Sequence, residues 1–259
     1  SEAMKAAGYE TASWVDDFIA EGNSSFYKVE NGKRLYYDII TKKYLSLPGG
    51  DSFIILSDLT EKTVWKNNAC HLYDIGDDVV GLSWNTKIGS IGSEVLEALN
   101  KSIAIAEEKY KGLVIANEAA QFSAGANIAM MFMLAAEQEY DELDMAGRLF
   151  QKTTMRVRYS SIPVAVAPHG LALGGGCEIC LHADKVQAAA ETYIGLVEVG
   201  VGLIPAGGGT KEFALRASDS IQHNEPETIP LQNRFITIGT AKVSTSAFEA
   251  YDLGILRKG

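Results

Sequence analysis

Two hydrophobic rhythms divide the chain. In the first, Tyr9, Trp14, Val15, Phe18 and Ile19 recur near helical spacing while Asp16, Asp17 and Glu21 share another face. That pattern predicts an amphipathic helix, ended by Gly22-Asn23-Ser24-Ser25. Alternating aromatic segments follow, Phe26 to Val29 and Arg34 to Ile40, across Glu30-Asn31-Gly32-Lys33. An Asn-Gly pair adopts the tight turn that matches strand twist, so these segments predict a β-hairpin. Pro48-Gly49-Gly50-Asp51 is a break, and Phe53 to Leu59 fits a strand or a short helix. We read residues 1–60 as a small appended module.

From Lys66 the pattern becomes regular. Ala69 to Ile75 and Val79 to Trp84 read as strands across Gly76-Asp77-Asp78. Val95, Leu96, Leu99, Ile103 and Ala106 give Gly92 to Tyr110 one apolar helical face. Gly112 to Ala116 and Val164 to Ala167 are short unbroken apolar runs, as in buried strands. Ile128 to Ala136 and Leu143 to Tyr159 are helical by composition, with Asn127 placed to cap the former. Glu178 to Ala183 predicts a helix and Lys185 to Ala189 a strand. A helix opens at Gly207-Gly208-Gly209 and runs to about Arg216. Ser218 to Pro230 reads as a loop, and Ser246 to Tyr251 as a last helix ended by Gly254. Strands alternating with helices predict an α/β fold over residues 61–259.

At 259 residues and 47% hydrophobic, the chain has enough apolar surface for one sizeable core plus an appendage. A net charge of −10 without a basic run argues against nucleic acid and anionic membrane as partners. An anionic small ligand stays compatible, because local cations and helix N-termini hold anions. The 3 cysteines lack framework spacing, which points to reduced thiols and a cytoplasmic setting. No apolar run reaches the roughly 18 residues that membrane insertion takes. Ser1-Glu-Ala-Met4 reads as the middle of something longer.

The chemistry concentrates between Pro163 and Thr210. Two segments share one design: Phe122 to Ile128 and Gly170 to Glu178 each lead a buried strand through small residues into a helix. Facing each other, they would offer two backbone N–H groups to one developing oxyanion; otherwise both are tight connections of a common kind. Glu178 and Glu198 follow glycine-bearing strand ends. Leu196, Val197, Val199 and Val201 surround Glu198, and apolar surroundings raise a carboxyl pKa toward general acid–base use. The bland alternative is a pair of surface glutamates. Cys177-Glu178-Ile179-Cys180 has redox spacing but lacks a thioredoxin-type context, which favours packing thiols. His71, His169, His182 and His223 show no metal-ligand spacing. Neither glycine triplet is followed by the Lys-Ser/Thr of a phosphate loop, and Pro205 interrupts the dinucleotide fingerprint begun at Gly200.

These motifs together resemble the crotonase (enoyl-CoA hydratase/isomerase) family. The residues that carry the likeness are Phe122-Ser-Ala-Gly-Ala-Asn-Ile128, Gly170-x-x-x-Gly-Gly-Gly-Cys-Glu178 and Leu196-Val-Glu198. Gly202-Leu-Ile-Pro-Ala-Gly-Gly-Gly-Thr210 and the closing Ser246-Ala-x-x-Ala250-x-x-x-Gly254-Ile add to it. The likeness runs from about Asp74 to Leu256 and is nearest to hydratase domains fused behind a 3-hydroxyacyl-CoA dehydrogenase. It implies a spiral of ββα units with helices outside. The amides of Ala126 and Gly175 would hold a thioester oxygen, and Glu178 and Glu198 would be the acid–base pair. Lys87, Ala124, Ala126 and Ile128 would hold coenzyme A. It further implies an acyl-CoA substrate, no cofactor in this part, and NAD only in a dehydrogenase domain of the same chain. Residues 1–60 would be a remnant of that domain. Members of the family continue into helices that cover the acyl pocket and build a homo-oligomer, so the chain reads as truncated. Asn127 stands where an aspartate is usual.

Overall fold

The structure is a computed structural model and describes residues 2–221, 226 and 228–257. The chain divides into two compact units, Ser1–Lys62 and Thr63–Gly259.

The smaller unit begins with helices α1 (Glu2–Ala6) and α2 (Ser13–Ala20). A sheet follows, with strands β1 (Tyr27–Glu30), β2 (Lys33–Asp38) and β3 (Lys43–Ser46) in antiparallel order. The predicted hairpin is present: Glu30 pairs with Lys33, and Asn31 and Gly32 both have positive φ, 54° and 73°. The third strand escaped the sequence reading because Lys42 turns the chain at φ 54° without a glycine. Phe18 packs edge-on against Tyr37 at 4.6 Å and both are buried. Phe53 to Leu59 resolves as a 3-10 helix only from Leu56, with buried Asp58 paired to Arg34 at 2.8 Å.

The larger unit is built on one mixed sheet. Strands β4 (Thr63–Lys66), β5 (Cys70–Gly76) and β6 (Val79–Trp84) run antiparallel. Helix α3 (Ser93–Lys109) crosses over to β7 (Gly112–Ala116), which pairs parallel with β6, Val79 opposite Gly112. After α4 (Ile128–Ala136) and α5 (Tyr140–Arg158) the chain returns in β8 (Val164–Ala167), parallel to β7. A short β9 (Leu171–Leu173) and α6 (Gly175–His182) precede β10 (Lys185–Val186), parallel to β8. Then come β11 (Tyr193–Gly195), parallel to β9, and α7 (Gly209–Ser220). Helices α8 (Thr228–Gly239) and α9 (Ala247–Asp252) close the described chain.

Among the described residues the main sheet runs β10-β8-β7-β6-β5-β4 and β11-β9 form a second row. Bridges Ser123–Ala172 and Ile91–Ala126 extend that second row to the segments after β7 and before α3. Successive units therefore repeat one plan: a strand in the main sheet, a short segment in the second row, then a helix. The glycine-rich turns lie where the second row passes into helices.

The core follows from the periodicities. Val95, Leu99, Ile103 and Ala106 of α3 are fully buried, as are Leu72, Val80, Leu82, Ile115, Val164 and Val166 of the sheet. Burying each large aliphatic contributes about 1.5–3 kcal/mol. Trp84 and Phe122 meet edge-on at 5.4 Å and carry the core under the first glycine turn.

Several boundaries differ from expectation. Helix α6 starts at Gly175 and not at Glu178, because Gly174 alone makes the turn. The strand expected to Ala189 pairs only to Val186. The loop expected over 218–230 is shorter: α7 runs on to Ser220 and α8 begins at Thr228, while residues 222–225 and 227, His223 among them, lie outside the described residues. Among the described residues no helix is long and apolar enough to cross a membrane.

Candidate active site

Three turns converge. The first leaves β7 and passes through Phe122 to Asn127. Here the Ser123 hydroxyl accepts the Gly125 amide at 3.0 Å, and Gly125 O accepts the Ile91 amide at 2.9 Å. Asn127 caps α4 by accepting the Met130 amide at 3.2 Å, the role its position predicts.

The second turn leaves β9. Gly174 has φ 52° and ψ −121°, a conformation that side chains oppose, and its amide donates to Gly195 O at 2.9 Å. Helix α6 then starts at Gly175, whose amide lies outside the helical ladder at the positive end of the dipole. A Cβ on Gly175 would sit 2.7 Å from Phe150 Cζ and 3.6 Å from Ala126 N, while a Cβ on Gly125 would sit 3.3 Å from Gly175 N. The two small-residue turns thus face each other, with the backbones of Gly125–Ala126 and Gly174–Gly175 in close approach.

The third turn, Pro205 to Gly209, brings in the first carboxylate's partner. Glu178 is 3% exposed, and its Oε1 accepts the Gly209 amide at 2.9 Å. Burial, then the charge of Glu198, push its pKa up to about 7 against the opposing amides of Gly209 and Gly207. Gly207 is required here: a Cβ would fall 2.3 Å from Glu178 Oε2 and 2.5 Å from the Phe150 ring.

Glu198 opens the 3-10 turn Glu198–Val201 after β11. Its Oε1 lies 3.1 Å from where a Gly174 Cβ would be. Its Oε2 is buried without a hydrogen-bond partner among the described residues, and burial raises its pKa against the amides of Glu198 and Val197. The two carboxyls therefore flank the Gly174–Gly175 turn, close enough for their charges to interact, and in different environments. Both carboxyls are raised by burial and opposed by two backbone amides; Glu198 differs in having one oxygen, Oε2, buried without a hydrogen-bond partner among the described residues.

The remaining candidates fall around this centre. Lys87 is exposed in a short 3-10 turn, and Ile88 O of that turn accepts the Ala124 amide at 3.0 Å. Ile128 at the start of α4 is 48% exposed. The Ile88–Ala124 bond joins the Lys87 turn to the Ala124 segment, and Ile128 follows Ala126 by two residues at the start of α4. Cys177 and Cys180 are buried free thiols in α6, with pKa values pushed up by burial. His169 Nε2 bonds Ala119 O at 2.7 Å, a structural position. Among the described residues no group of three or more His, Cys, Asp and Glu is placed to hold a metal.

Sequence reasoning found helix α5, expected from Leu143 to Tyr159, but not its supporting role. Phe150 fills the space between Gly175 and Gly207, Thr154 Oγ1 donates to Gly207 O at 2.6 Å, and Gln151 Nε2 donates to Ala206 O at 2.8 Å. The signal was there in part: Phe150, Thr153, Thr154 and Val157 form the buried face of α5. Nothing in the spacing tells that this face meets a loop over fifty residues away.

The enoyl-CoA hydratase/isomerase family matches residues 80–224. Over its whole length the chain is 39% identical to a Bacillus subtilis protein described as "Probable 3-hydroxyacyl-CoA dehydrogenase", covering 32% of that protein. It is 30% identical over 194 residues, 75% of the chain, to a Rickettsia prowazekii "Putative fatty acid oxidation complex trifunctional enzyme", covering 26% of it. The chain thus spans about a third or less of the curated relatives it matches. Among solved structures, an enoyl-CoA hydratase from Bacillus anthracis superposes with TM-score 0.60 at 25% identity, over 73% of this chain and 69% of that one. One from Polaromonas gives TM-score 0.61 at 22% identity, over 73% and 69%, and shares the fold. The expected crotonase-like architecture is the observed one.

Proposed function

The chain belongs to the enoyl-CoA hydratase/isomerase family, and we propose that it adds water across the C2–C3 double bond of 2-enoyl-CoA thioesters. In this reading it is the hydratase part of a bifunctional 3-hydroxyacyl-CoA dehydrogenase of fatty acid β-oxidation. The observation that carries it is the pair of carboxyls, buried Glu178 and half-buried Glu198, that flank the Gly174–Gly175 turn where it faces Ala126.

The thioester carbonyl oxygen lies between the Ala126 and Gly175 amides. Glu178, in its ionised form and oriented by the Gly209 N–H, removes a proton from water as the water oxygen bonds to C3. The C2–C3 π pair moves toward C1, and the carbonyl becomes an enolate oxygen that the two amides stabilise. Glu198, in its acid form, delivers a proton to C2 and the carbonyl re-forms. One proton has been taken up by Glu178 and one given by Glu198, so exchange with solvent resets the site. Loss of one such amide typically raises the barrier by roughly 2.7–4 kcal/mol. Lys87, Ala124, Ala126 and Ile128 hold the coenzyme A part, and Lys87 supplies a cation for its phosphates.

This chemistry uses no resident cofactor; NAD belongs to the dehydrogenase part of the full protein. The reading is of a cytoplasmic enzyme, supported by three buried free thiols. A Δ3-Δ2-enoyl-CoA isomerase would shuttle a proton on one carboxylate, so the presence of a second carboxyl favours hydration. The test is to supply crotonyl-CoA and a 3-enoyl-CoA separately. Loss of conjugated enoyl absorbance from the first, faster than any gain from the second, is the expected result. The reverse order sinks the hydratase reading in favour of the isomerase.

A further inference from the structure

The mechanism leaves unused a buried polar cluster directly behind Glu178. His182 ends α6 four residues after Glu178 and is buried. Its Nδ1 lies 2.7 Å from Glu178 O, which accepts, so Nδ1 carries the proton and Nε2 is the acceptor. Lys211 Nζ stands 3.0 Å from that Nε2, as a donor. Burial lowers the His182 pKa to about 4, with Lys211 and Arg158 adding to the effect, in keeping with a neutral ring.

The groups facing His182 come from three elements: Glu178 on α6, Lys211 and Glu212 on α7, and Arg158 on α5. Glu212 is fully buried, 2.8 Å from Arg158, 3.1 Å from Lys211 and 3.9 Å from Arg216, with its Oε1 3.6 Å from His182 Nε2. The backbone closes in as well: a Cβ on Gly208 would sit 2.6 Å from the His182 ring.

These contacts form a closed circuit. Glu178 Oε1 holds the Gly209 amide; two residues on, Lys211 holds His182; His182 holds the Glu178 carbonyl. We propose that His182 and Lys211 are positioning residues that clamp α6 to the start of α7 and so keep the Gly209 amide on Glu178. Neither touches substrate. The clamp rests on Glu178 being the general base, as argued above.

Lys211 is the place to test it, since it is 38% exposed and the Lys211→Arg variant keeps the cation that pairs with buried Glu212. Lys211→Met removes the donor to His182; Lys211→Arg keeps a cationic donor. Two measurements are made on the full chain. In crotonyl-CoA hydration, Lys211→Met should lower kcat on the order of tenfold, as misplacement of an acid–base group does, with KM little changed. Lys211→Arg should restore most of it. In a carboxyl titration by 13C-glutamate spectra, with the signal assigned by its loss in Glu178→Gln, Lys211→Met should move Glu178 to higher pH. The direction follows because the Gly209 amide favours the anion. An unmoved Glu178 titration overturns the clamp, even if melting temperature falls. A moved titration in a protein that never hydrates crotonyl-CoA keeps the clamp and removes the hydratase reading.

Discussion

At the residue scale, the proposed hydration gives two glutamates twenty positions apart different tasks. Glu178 must be ionised to take a proton, and its pKa lies at about 7, so kcat/KM should fall as pH drops through 7. Glu198 must be protonated, so the rate should also fall on the alkaline side, beyond its raised pKa. A pH–rate profile that stays flat from 5 to 9, at roughly the span where such groups titrate, contradicts both assignments. Stability carries the same signature. The folded state binds the Glu178 proton more tightly than the unfolded state, whose carboxyl titrates near 4.5. Stability tied to this group is full below 4.5 and declines as pH rises through about 7. Glu178→Gln should therefore gain on the wild type between pH 5 and 8, by up to about 3 kcal/mol in urea unfolding. Equal stability curves would show that the carboxyl is not buried as described. The apolar neighbours of Glu198 pointed to burial, and the structure gives it in part: the residue is half-buried with one buried oxygen, while Val199 and Val201 are exposed. The Glu178 partner did not show, since a backbone amide contributed by Gly209 has no side-chain signature.

At the element scale, the turns matter more than the helices they open. Gly207 touches both Glu178 and Phe150, and Gly175 touches Phe150. Gly207→Ala forces the carboxylate or the ring to move, so hydration should fall by a hundredfold or more, on the order expected for a misplaced base. Near-normal turnover in a folded Gly207→Ala protein would mean that this contact does not fix Glu178. Asn127→Ala removes the cap of α4 and should cost about 1 kcal/mol in denaturant unfolding. A loss under a few tenths would show that the cap is idle. Strands with clear apolar runs, β6, β7 and β8, were legible, and so was α3 with its repeating buried face. Strands β9 and β11 were not, because each is three residues long and is defined only by its partner. Helix α8 was hidden by Pro230, which sits in its first turn, where a missing N–H costs nothing.

At the scale of the whole molecule, the chain is two compact units, and the main hydrophobic cluster lies in the larger one. Every proposed site residue lies in the larger one. A polypeptide of residues 63–259 should keep the main cooperative melting transition, within a few degrees of the full chain, and lose only the smaller unit's contribution by calorimetry. Collapse of the main transition would show that the two units fold as one. The repeat of strand, second-row segment and helix explains why the chemistry gathers where it does. Successive turns are stacked by β7-β8-β10 on one side and by 123–172 and β9-β11 pairing on the other. Residues distant in sequence, Ala126, Gly175, Glu198 and Gly209, therefore arrive at one place. That stacking was legible only through the family resemblance, since no periodicity in the chain states which strand pairs with which. The central claim is that both carboxyls act on one thioester, and crotonyl-CoA hydration by Glu178→Gln and Glu198→Gln tests it most directly. The account predicts that each variant, folded and still binding the thioester, loses about a hundredfold to ten-thousandfold in kcat; a variant of either kind that hydrates at the wild-type rate contradicts it.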